Sequence, residues 1–273
     1  MLQGLRLHDT FVRLFSLNIA IQIIRDNTPD IAIVDPYYMR DAVLRTDFGV
    51  RRAVNYLKGF LQTYSDKTSI LMPYHPESDS GRQHYVLIHL NVQECRTTYL
   101  DSGSKQTKKD YDTIKKFLDQ ALNGYVVAGG VVNRPVKKFG MHMFSHKFDF
   151  WCVKQPDDSV KDAFYALHHM KAMVLDFHVK TLPRDLQQWA MERQSIKDRN
   201  IRQDFFTIQE EIAEILHQQV MKTGGIFYGG TQPCNSEIDK RLALQGDGRD
   251  FMTLAKGARA GFINPPKNPL KKS

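Results

Sequence analysis

The chain has 273 residues, of which 42% are hydrophobic and 25% are charged, a composition that indicates a folded globular protein and excludes a largely disordered one. No apolar run approaches the roughly 20 residues of a membrane span, and the N-terminus carries His8, Asp9 and Arg13 among its apolar residues. We therefore expect neither a membrane partner nor a signal peptide. The three cysteines lie far apart, which favours buried thiols over disulfides and an intracellular location, nuclear or cytoplasmic.

The positive charge of the chain raises the question of an acidic partner or nucleic acid. Lysine and arginine outnumber the acids by 38 to 30, which gives a net charge of +8. The excess is spread over isolated doublets without interleaved aromatic residues, such as Arg51-Arg52, Lys108-Lys109 and Lys137-Lys138. We therefore do not expect nucleic acid as a partner. We also expect the chain to be a monomer.

Hydrophobic periodicity and turn residues divide the chain into helices and strands. In chain order we predict a helix at 11–24, a strand at 31–34, one or two helices at 39–64, strands at 69–74, 84–90 and 96–100, a helix at 109–122, strands at 125–132 and 148–153, and helices at 160–179, 184–197 and 201–221. This order predicts an α+β domain over residues 1–222. Gly, Pro and Lys dominate the remainder, so residues 223–273 are predicted to be a flexible tail.

Chemically suggestive residues lie at the ends of these elements. His84 begins one strand, and Asp101 follows the next strand, so both are expected at one end of a sheet. Gln155 precedes the helix at 160–179, and position 162 lies in the first turn of that helix. An imidazole, a carboxylate that orients it, an oxyanion donor and a helix N-terminus are the parts of a thiol protease.

In this ordered set the sequence resembles the Ulp family of papain-like proteases, which process and deconjugate SUMO and related ubiquitin-like proteins. It is most similar to the plant members carried by transposable elements. The resemblance covers about residues 10–222 and rests on matching runs, which are Ile33-Val34-Asp35-Pro36, His84-Tyr85-Val86-Leu87, Tyr99-Leu100-Asp101-Ser102 and Trp151-Cys152-Val153-Lys154-Gln155-Pro156. It implies a papain-like fold with a central mixed sheet flanked by helices. It also implies that His84 is the general base, Asp101 its orienting partner and Gln155 the oxyanion donor.

The chain departs from the family at the nucleophile. The family has Cys-Gly where this chain has Asp162-Ala163, and commonly Trp where this chain has Tyr85. A carboxylate is a far weaker nucleophile than a thiolate, so we predict that hydrolysis by the family mechanism is lost. Cys152 lies ten residues too early and Ser159 lies before the helix. Ser159 and Asp162 also approximate a capping box, which would explain Asp162 without catalysis.

Three hypotheses follow from the sequence. The first is a Ulp-like domain without peptidase activity, which either still binds a ubiquitin-like protein such as SUMO or is a relic of a mobile element. The second is an active cysteine-type peptidase with an unrecognised nucleophile, and the third is a basic non-enzymatic interaction module. No cofactor is predicted. No metal site is predicted either, because His142 and His146 have a spacing that suits a metal only on a helix.

Overall fold

The computed structural model describes residues 6–27, 30–76, 84–103, 111–156, 161–177 and 198–223, together with positions 225, 228, 252, 253, 255 and 256. Within these residues no helix is long and apolar enough to cross a membrane. The predicted helix at 184–197 and most of the predicted tail lie outside the described residues. Met252 and Ala255 of that segment are buried in the core, while the flexible character of the rest stays a prediction.

The first half of the chain contains three α-helices, a 3-10 turn and four strands. Helix α1 (Asp9–Arg25) begins after His8, whose Nδ1 accepts the Thr10 N–H at 3.2 Å. The remaining elements are strand β1 (Ile31–Ile33), a 3-10 turn (Pro36–Met39), helix α2 (Asp41–Leu44), helix α3 (Asp47–Tyr64) and strands β2 (Ser69–Tyr74), β3 (Val86–Asn91) and β4 (Arg96–Leu100). These bounds agree with the predicted elements, except that β3 begins two residues after His84.

The second half adds helices around the sheet. Its elements are helix α4 (Asp112–Val127), strands β5 (Val136–Lys138), β6 (Met141–Met143) and β7 (Ser145–Lys147), and helices α5 (Asp162–Phe177) and α6 (Asp198–Ile215), with a π-helical turn (Leu216–Met221). Helix α5 packs against α1, α6 and strands β2 and β3. Its residues from Ala163 to Val174, apart from Lys171, are buried, which explains its almost continuous apolar sequence.

The central sheet is mixed. Its strand order is β1-β2-β3-β4-β7, with parallel pairs at both edges and antiparallel pairs in the middle. Every residue of β2 and β3 is buried, because helices cover the sheet. This confirms the predicted α+β class, with a central mixed sheet flanked by helices and the start of a core helix against the strands, as a papain-like fold requires.

The predicted strand at 125–132 is wrong. Helix α4 continues to Val127, because Tyr125 is buried on the same face as Leu118 and Leu122. The helix then ends in a Schellman motif, in which Gly129 has φ 93° and the Gly130 N–H donates to the Tyr125 carbonyl at 3.0 Å. Tertiary packing here overrides the β-propensity of a Tyr-Val-Val run.

The predicted strand at 148–153 is also wrong. The strand that joins the sheet is β7, which pairs with β4 three residues earlier than predicted. The segment after it runs beside the end of β4 without a ladder. The Cys152 thiol and the Lys154 ammonium donate to the Asp101 carbonyl at 3.0 and 2.7 Å, and the Gln155 N–H donates to the Ser102 carbonyl at 2.9 Å. Phe150 and Cys152 are buried, so the apolar run reflects burial rather than strand pairing.

Candidate functional site

The candidate site lies where β3 begins and β4 ends. The pairing of Leu87 with Leu100 brings the residues before β3 next to those after β4. As a result, His84 Nε2 lies 2.6 Å from Asp101 Oδ1, and both residues are 7% exposed. Because Nε2 is engaged by the carboxylate, Nδ1 is the ring nitrogen that remains to act on another group.

Asp101 is fixed by several donors besides His84. The Gly103 N–H donates to Oδ1 at 2.7 Å, and the buried Tyr111 hydroxyl donates to Oδ2. Burial alone would raise the pKa of Asp101, but the hydrogen bond and charge of His84, helped by Tyr111 and Gly103, lower it. A side chain at Gly103 would lie about 3.1 to 3.2 Å from Asp101 Oδ1 and the His84 ring. Glycine therefore allows the backbone to approach the pair closely.

Asp162 is the first residue of α5 and is 5% exposed. Its Oδ2 accepts the Tyr85 N–H at 2.7 Å, which ties the start of the helix to the residue after His84. Burial raises the pKa of Asp162. The Tyr85 N–H, the nearby His84 and the backbone N–H of Asp162 itself lower that pKa, but only by part of the increase. The predicted capping partner Ser159 lies outside the described residues.

Gln155 lies beside the end of β4. The Ser102 hydroxyl donates to Gln155 Oε1 at 3.3 Å, in addition to the backbone hydrogen bond between the two residues. With Oε1 engaged, Nε2 is the atom of this amide that can donate to an oxyanion. His84 therefore contacts Asp101 directly. Asp162 contacts Tyr85, the residue after His84, and Gln155 contacts Ser102, the residue after Asp101.

The described cysteines offer no nucleophile in place of Asp162. The Cys152 thiol is buried and donates to the Asp101 carbonyl, and burial raises its pKa to about 12. A thiol with such a pKa carries almost no thiolate at neutral pH. Cys95 is buried in the turn between β3 and β4, at the far end of these strands from His84, and burial raises its pKa as well. Cys234 lies outside the described residues.

A second group of charged residues, which the sequence did not predict, surrounds Asp9. Its carboxylate accepts the Tyr85 hydroxyl and lies 3.1 Å from His75 Nδ1 and 3.0 Å from Arg40. Burial would raise the pKa of Asp9, but His75, Tyr85 and Arg40 together lower it well below its usual range. The Tyr85 ring stacks on His75 with centroids 4.4 Å apart. These residues line a pocket of about 250 Å³ that also reaches Asp162.

His142 and His146, whose spacing raised and then excluded a metal site in the sequence, lie in different strands. His142 lies in β6, and its backbone N–H donates to Asn123. His146 lies in β7 between the Tyr99 hydroxyl at 2.9 Å and Asp119 at 3.1 Å. Over the described part of the chain, no group of three or more His, Cys, Asp or Glu side chains is arranged to hold a metal ion.

Comparisons with known proteins gave matches among solved structures alone. No protein-family model matches the chain, and no curated protein matches its sequence. One similar structure is the SUMO protease Ulp1 with its catalytic cysteine oxidised to a sulfinic acid, at 16% identity over 77% of this chain and 79% of that chain, with a TM-score of 0.45. The same protease with a sulfonic acid matches at 15% identity over 76% and 79%, with a TM-score of 0.43. A de-sumoylating protease matches at 10% identity over 93% and 83%, with a TM-score of 0.44.

Proposed function

We propose that this chain is a Ulp-like domain that has lost peptidase activity and binds a ubiquitin-like protein of the SUMO class. The observation that carries the proposal is the buried carboxylate of Asp162 at the start of α5, bonded to the residue after His84. This is the position at which the resembled family has its nucleophilic cysteine.

The chemistry of a carboxylate supports the loss of hydrolysis. A thiolate attacks the carbonyl carbon of the scissile peptide bond, the C–N bond breaks and the amine leaves with a proton from the imidazolium, and water then hydrolyses the resulting thioester. A carboxylate is a much weaker nucleophile, and its acyl product would be an anhydride. In addition, Asp162 Oδ2 is occupied by the Tyr85 N–H at 2.7 Å. The side chain therefore acts as a hydrogen-bond acceptor within the fold.

The other parts of the site support a binding role. His84 is hydrogen-bonded to Asp101, as a base is to a partner that orients it, and Ser102 engages Gln155 Oε1, which leaves Nε2 of that amide as the donor. Without a nucleophile these groups can still bind the carbonyl and amide groups of an extended peptide. The resemblance to plant transposon-borne members further suggests that the gene lies within a mobile element, which its flanking sequence would show.

The two other hypotheses from the sequence receive less support. An active peptidase would need a thiolate near His84, whereas Cys152 donates to the Asp101 carbonyl and has a raised pKa. A purely basic interaction module would leave the buried hydrogen bond between His84 and Asp101 without a function.

The test uses the full chain in two assays. Incubation with SUMO and ubiquitin precursors, and with electrophilic ubiquitin-like probes, is expected to give neither cleavage nor labelling, while an active SUMO protease in parallel gives both. Calorimetry should then detect binding of mature SUMO. Labelling of any cysteine that disappears in the His84→Ala chain would refute the loss of activity. Absence of SUMO and ubiquitin binding would refute the binding role.

Light scattering on the same sample tests whether the chain is a monomer.

A further inference from the structure

A short hairpin projects from the end of the molecule opposite the candidate site. Strands β5 and β6 form this two-stranded sheet, and its base is tied to the turn between β3 and β4, where the Asn133 N–H donates to the Gln93 carbonyl at 2.8 Å. The six residues of β3 separate this turn from His84, a distance of about 20 Å. The hairpin is thus a surface distinct from the candidate site.

The hairpin has one covered strand and one open strand. Strand β6 lies against α4, and the His142 N–H donates to Asn123 of that helix at 3.1 Å. All three residues of β5 are exposed, and among the described residues no strand other than β6 pairs with it. Strand β5 is therefore an open edge, which natural proteins usually cover or protect.

The turn geometry shows which backbone groups face outward. Phe139 and Gly140 have φ angles of 51° and 77°, as the two central residues of a type I′ turn do. In such a hairpin the pair next to the turn, Lys138 and Met141, exchanges both backbone hydrogen bonds. The next residue, Lys137, then directs its N–H and carbonyl away from β6.

The charged side chains of the hairpin itself are all positive. Residues 120–148 contain no aspartate or glutamate, and Lys137 and Lys138 are both exposed. Arg134 at the base pairs with Glu94 at 3.0 Å, so the two lysines carry most of the unneutralised charge. Apolar surface accompanies them, because Phe139 is 92% exposed and Val136 39% exposed.

We propose that β5 is a docking edge for an extended acidic segment of a partner protein, which adds as a third strand to the hairpin. The open backbone of Lys137 supplies a donor and an acceptor to such a strand. Lys137 and Lys138 lie on opposite faces of the strand and would meet acidic side chains on both faces, while Phe139 and Val136 cover apolar ones.

The hairpin suits a protein segment better than nucleic acid. Single-stranded nucleic acid is usually held by several aromatic side chains on which successive bases stack. Phe139 is the one aromatic residue in residues 134–143, and the Lys138 ammonium already lies 5.5 Å from the centre of its ring. A free strand edge, by contrast, is a feature that peptides recognise and nucleic acids do not.

The test measures binding of a labelled peptide to the full chain by fluorescence anisotropy. The peptide has about six residues, the length of an ordinary strand, and carries Glu at consecutive central positions, so that both faces present carboxylates, with Val or Thr at the other positions. We expect binding that weakens with salt and falls by about tenfold or more when Lys137→Glu and Lys138→Glu are combined. Lys137→Pro removes the outward N–H without removing a bond to β6, and should weaken binding as well. Lys116→Glu with Lys222→Glu changes the net charge equally on other exposed surfaces and should leave binding within about twofold.

Two further measurements decide the outcome even where a variant disturbs the hairpin. By NMR, the Lys137 amide of the unaltered chain should become protected from solvent exchange when the peptide binds. Failure of the peptide to bind, or binding that leaves this amide unprotected, overturns the proposal. A thymidine oligonucleotide that binds through Lys137 and Lys138 while the peptide does not would instead identify a nucleic-acid surface. None of these results depends on SUMO binding at the opposite end.

Discussion

At position 162 a single carboxylate connects the start of α5 to the residue before β3. Asp162 receives the Tyr85 N–H at 2.7 Å, and both residues are buried. A buried N–H that loses its acceptor costs about 1 to 3 kcal/mol, because no water replaces the lost partner. The hydrogen bond, rather than the charge, is therefore the property on which the fold depends here.

This distinction predicts different effects for two substitutions. Asp162→Ala removes the acceptor and should lower the free energy of unfolding by about 1 to 3 kcal/mol. Asp162→Asn keeps an oxygen at the same place and should cost much less. Urea denaturation at neutral pH measures both, and equal losses in the two variants would show that the hydrogen bond to Tyr85 contributes little.

The pH dependence of stability gives a second test of the same carboxylate. Burial raises the pKa of Asp162 in the folded chain, above the value of about 3.9 in an unfolded chain. The resulting contribution to stability is fully present below the unfolded pKa and is lost as pH rises through the folded pKa. The native chain should therefore lose stability relative to Asp162→Asn as pH rises from about 4. Asp9 and Asp101 are present in both chains and cancel in this comparison. A difference that does not change with pH would mean that Asp162 is ionised as readily as in water.

The sequence predicts His84, Asp101, Gln155 and Asp162 as one site because their order along the chain matches the resembled pattern. The structure connects these residues and their chain neighbours by hydrogen bonds, while their catalytic roles stay a prediction. The group around Asp9 could not be recognised, because Asp9 is 31 residues from Arg40 and 76 from Tyr85. The tertiary packing of α1 brings these residues together, and no local sequence motif indicates that they are in contact.

Elements were predictable where one periodicity dominated. Strands β2 and β4 have the predicted ends, and helix α3 ends at Tyr64 as predicted. Burial of one face dictates the pattern of α3, whereas β2 is buried throughout and is indicated by its short apolar run. The two wrongly predicted strands lie where β-branched and aromatic residues are buried by tertiary packing and not by pairing with a neighbouring strand. At the end of α4 the decisive residues are Gly129 and Gly130, which stop the helix after Tyr125 has packed.

Gly130 provides a test of that helix end. A β-carbon at Gly130 would lie 2.3 Å from Cζ of Tyr125, whose hydroxyl donates to the Val131 carbonyl at 3.0 Å. Gly130→Ala should therefore lower the free energy of unfolding by about 1 to 3 kcal/mol. Gly59→Ala is the matched control, because nothing lies within 4 Å of its added carbon and alanine favours a helix by about 0.5 to 1 kcal/mol. Thermal denaturation that ranks Gly130→Ala with Gly59→Ala would show that the Tyr125 ring moves away freely.

On the scale of the whole molecule, α1 links the parts of the site to the rest of the fold. Arg13 and Asp35 form a buried ion pair at 2.6 Å between α1 and the residues after β1, with side chains 5% exposed. Asp35 also accepts the Tyr37 N–H at 2.9 Å and so caps the 3-10 turn. One turn earlier, Asp9 of α1 contacts Tyr85 beside the site. Asp35, the aspartate of the run Ile33-Val34-Asp35-Pro36, therefore has a structural role, because it holds α1 to the turn after β1.

The same framework determines what a thiol would experience at position 162. A cysteine there would stand at the start of a 16-residue helix, where the helix dipole favours a thiolate. His84 lies close enough for its charge to influence residue 162, and its Nδ1 is not the atom that Asp101 engages. Burial destabilises the thiolate and so raises the pKa of such a thiol. Its reactivity depends on whether the helix dipole and His84 lower that pKa by more than burial raises it.

We expect the dipole and His84 to prevail, so that Asp162→Cys creates a thiol that reacts with iodoacetamide at neutral pH faster than free cysteine does. Combination with His84→Ala should slow the reaction, because the imidazole no longer takes the proton. Ala163→Cys is the control, since residue 163 lies in the same turn and is 2% exposed; its thiol should react slowly and without dependence on His84. Mass spectrometry of the alkylated chains measures each rate. Equal rates for the two cysteines, or a rate at position 162 that is unchanged by His84→Ala, would show that the site does not have the geometry of a thiol protease.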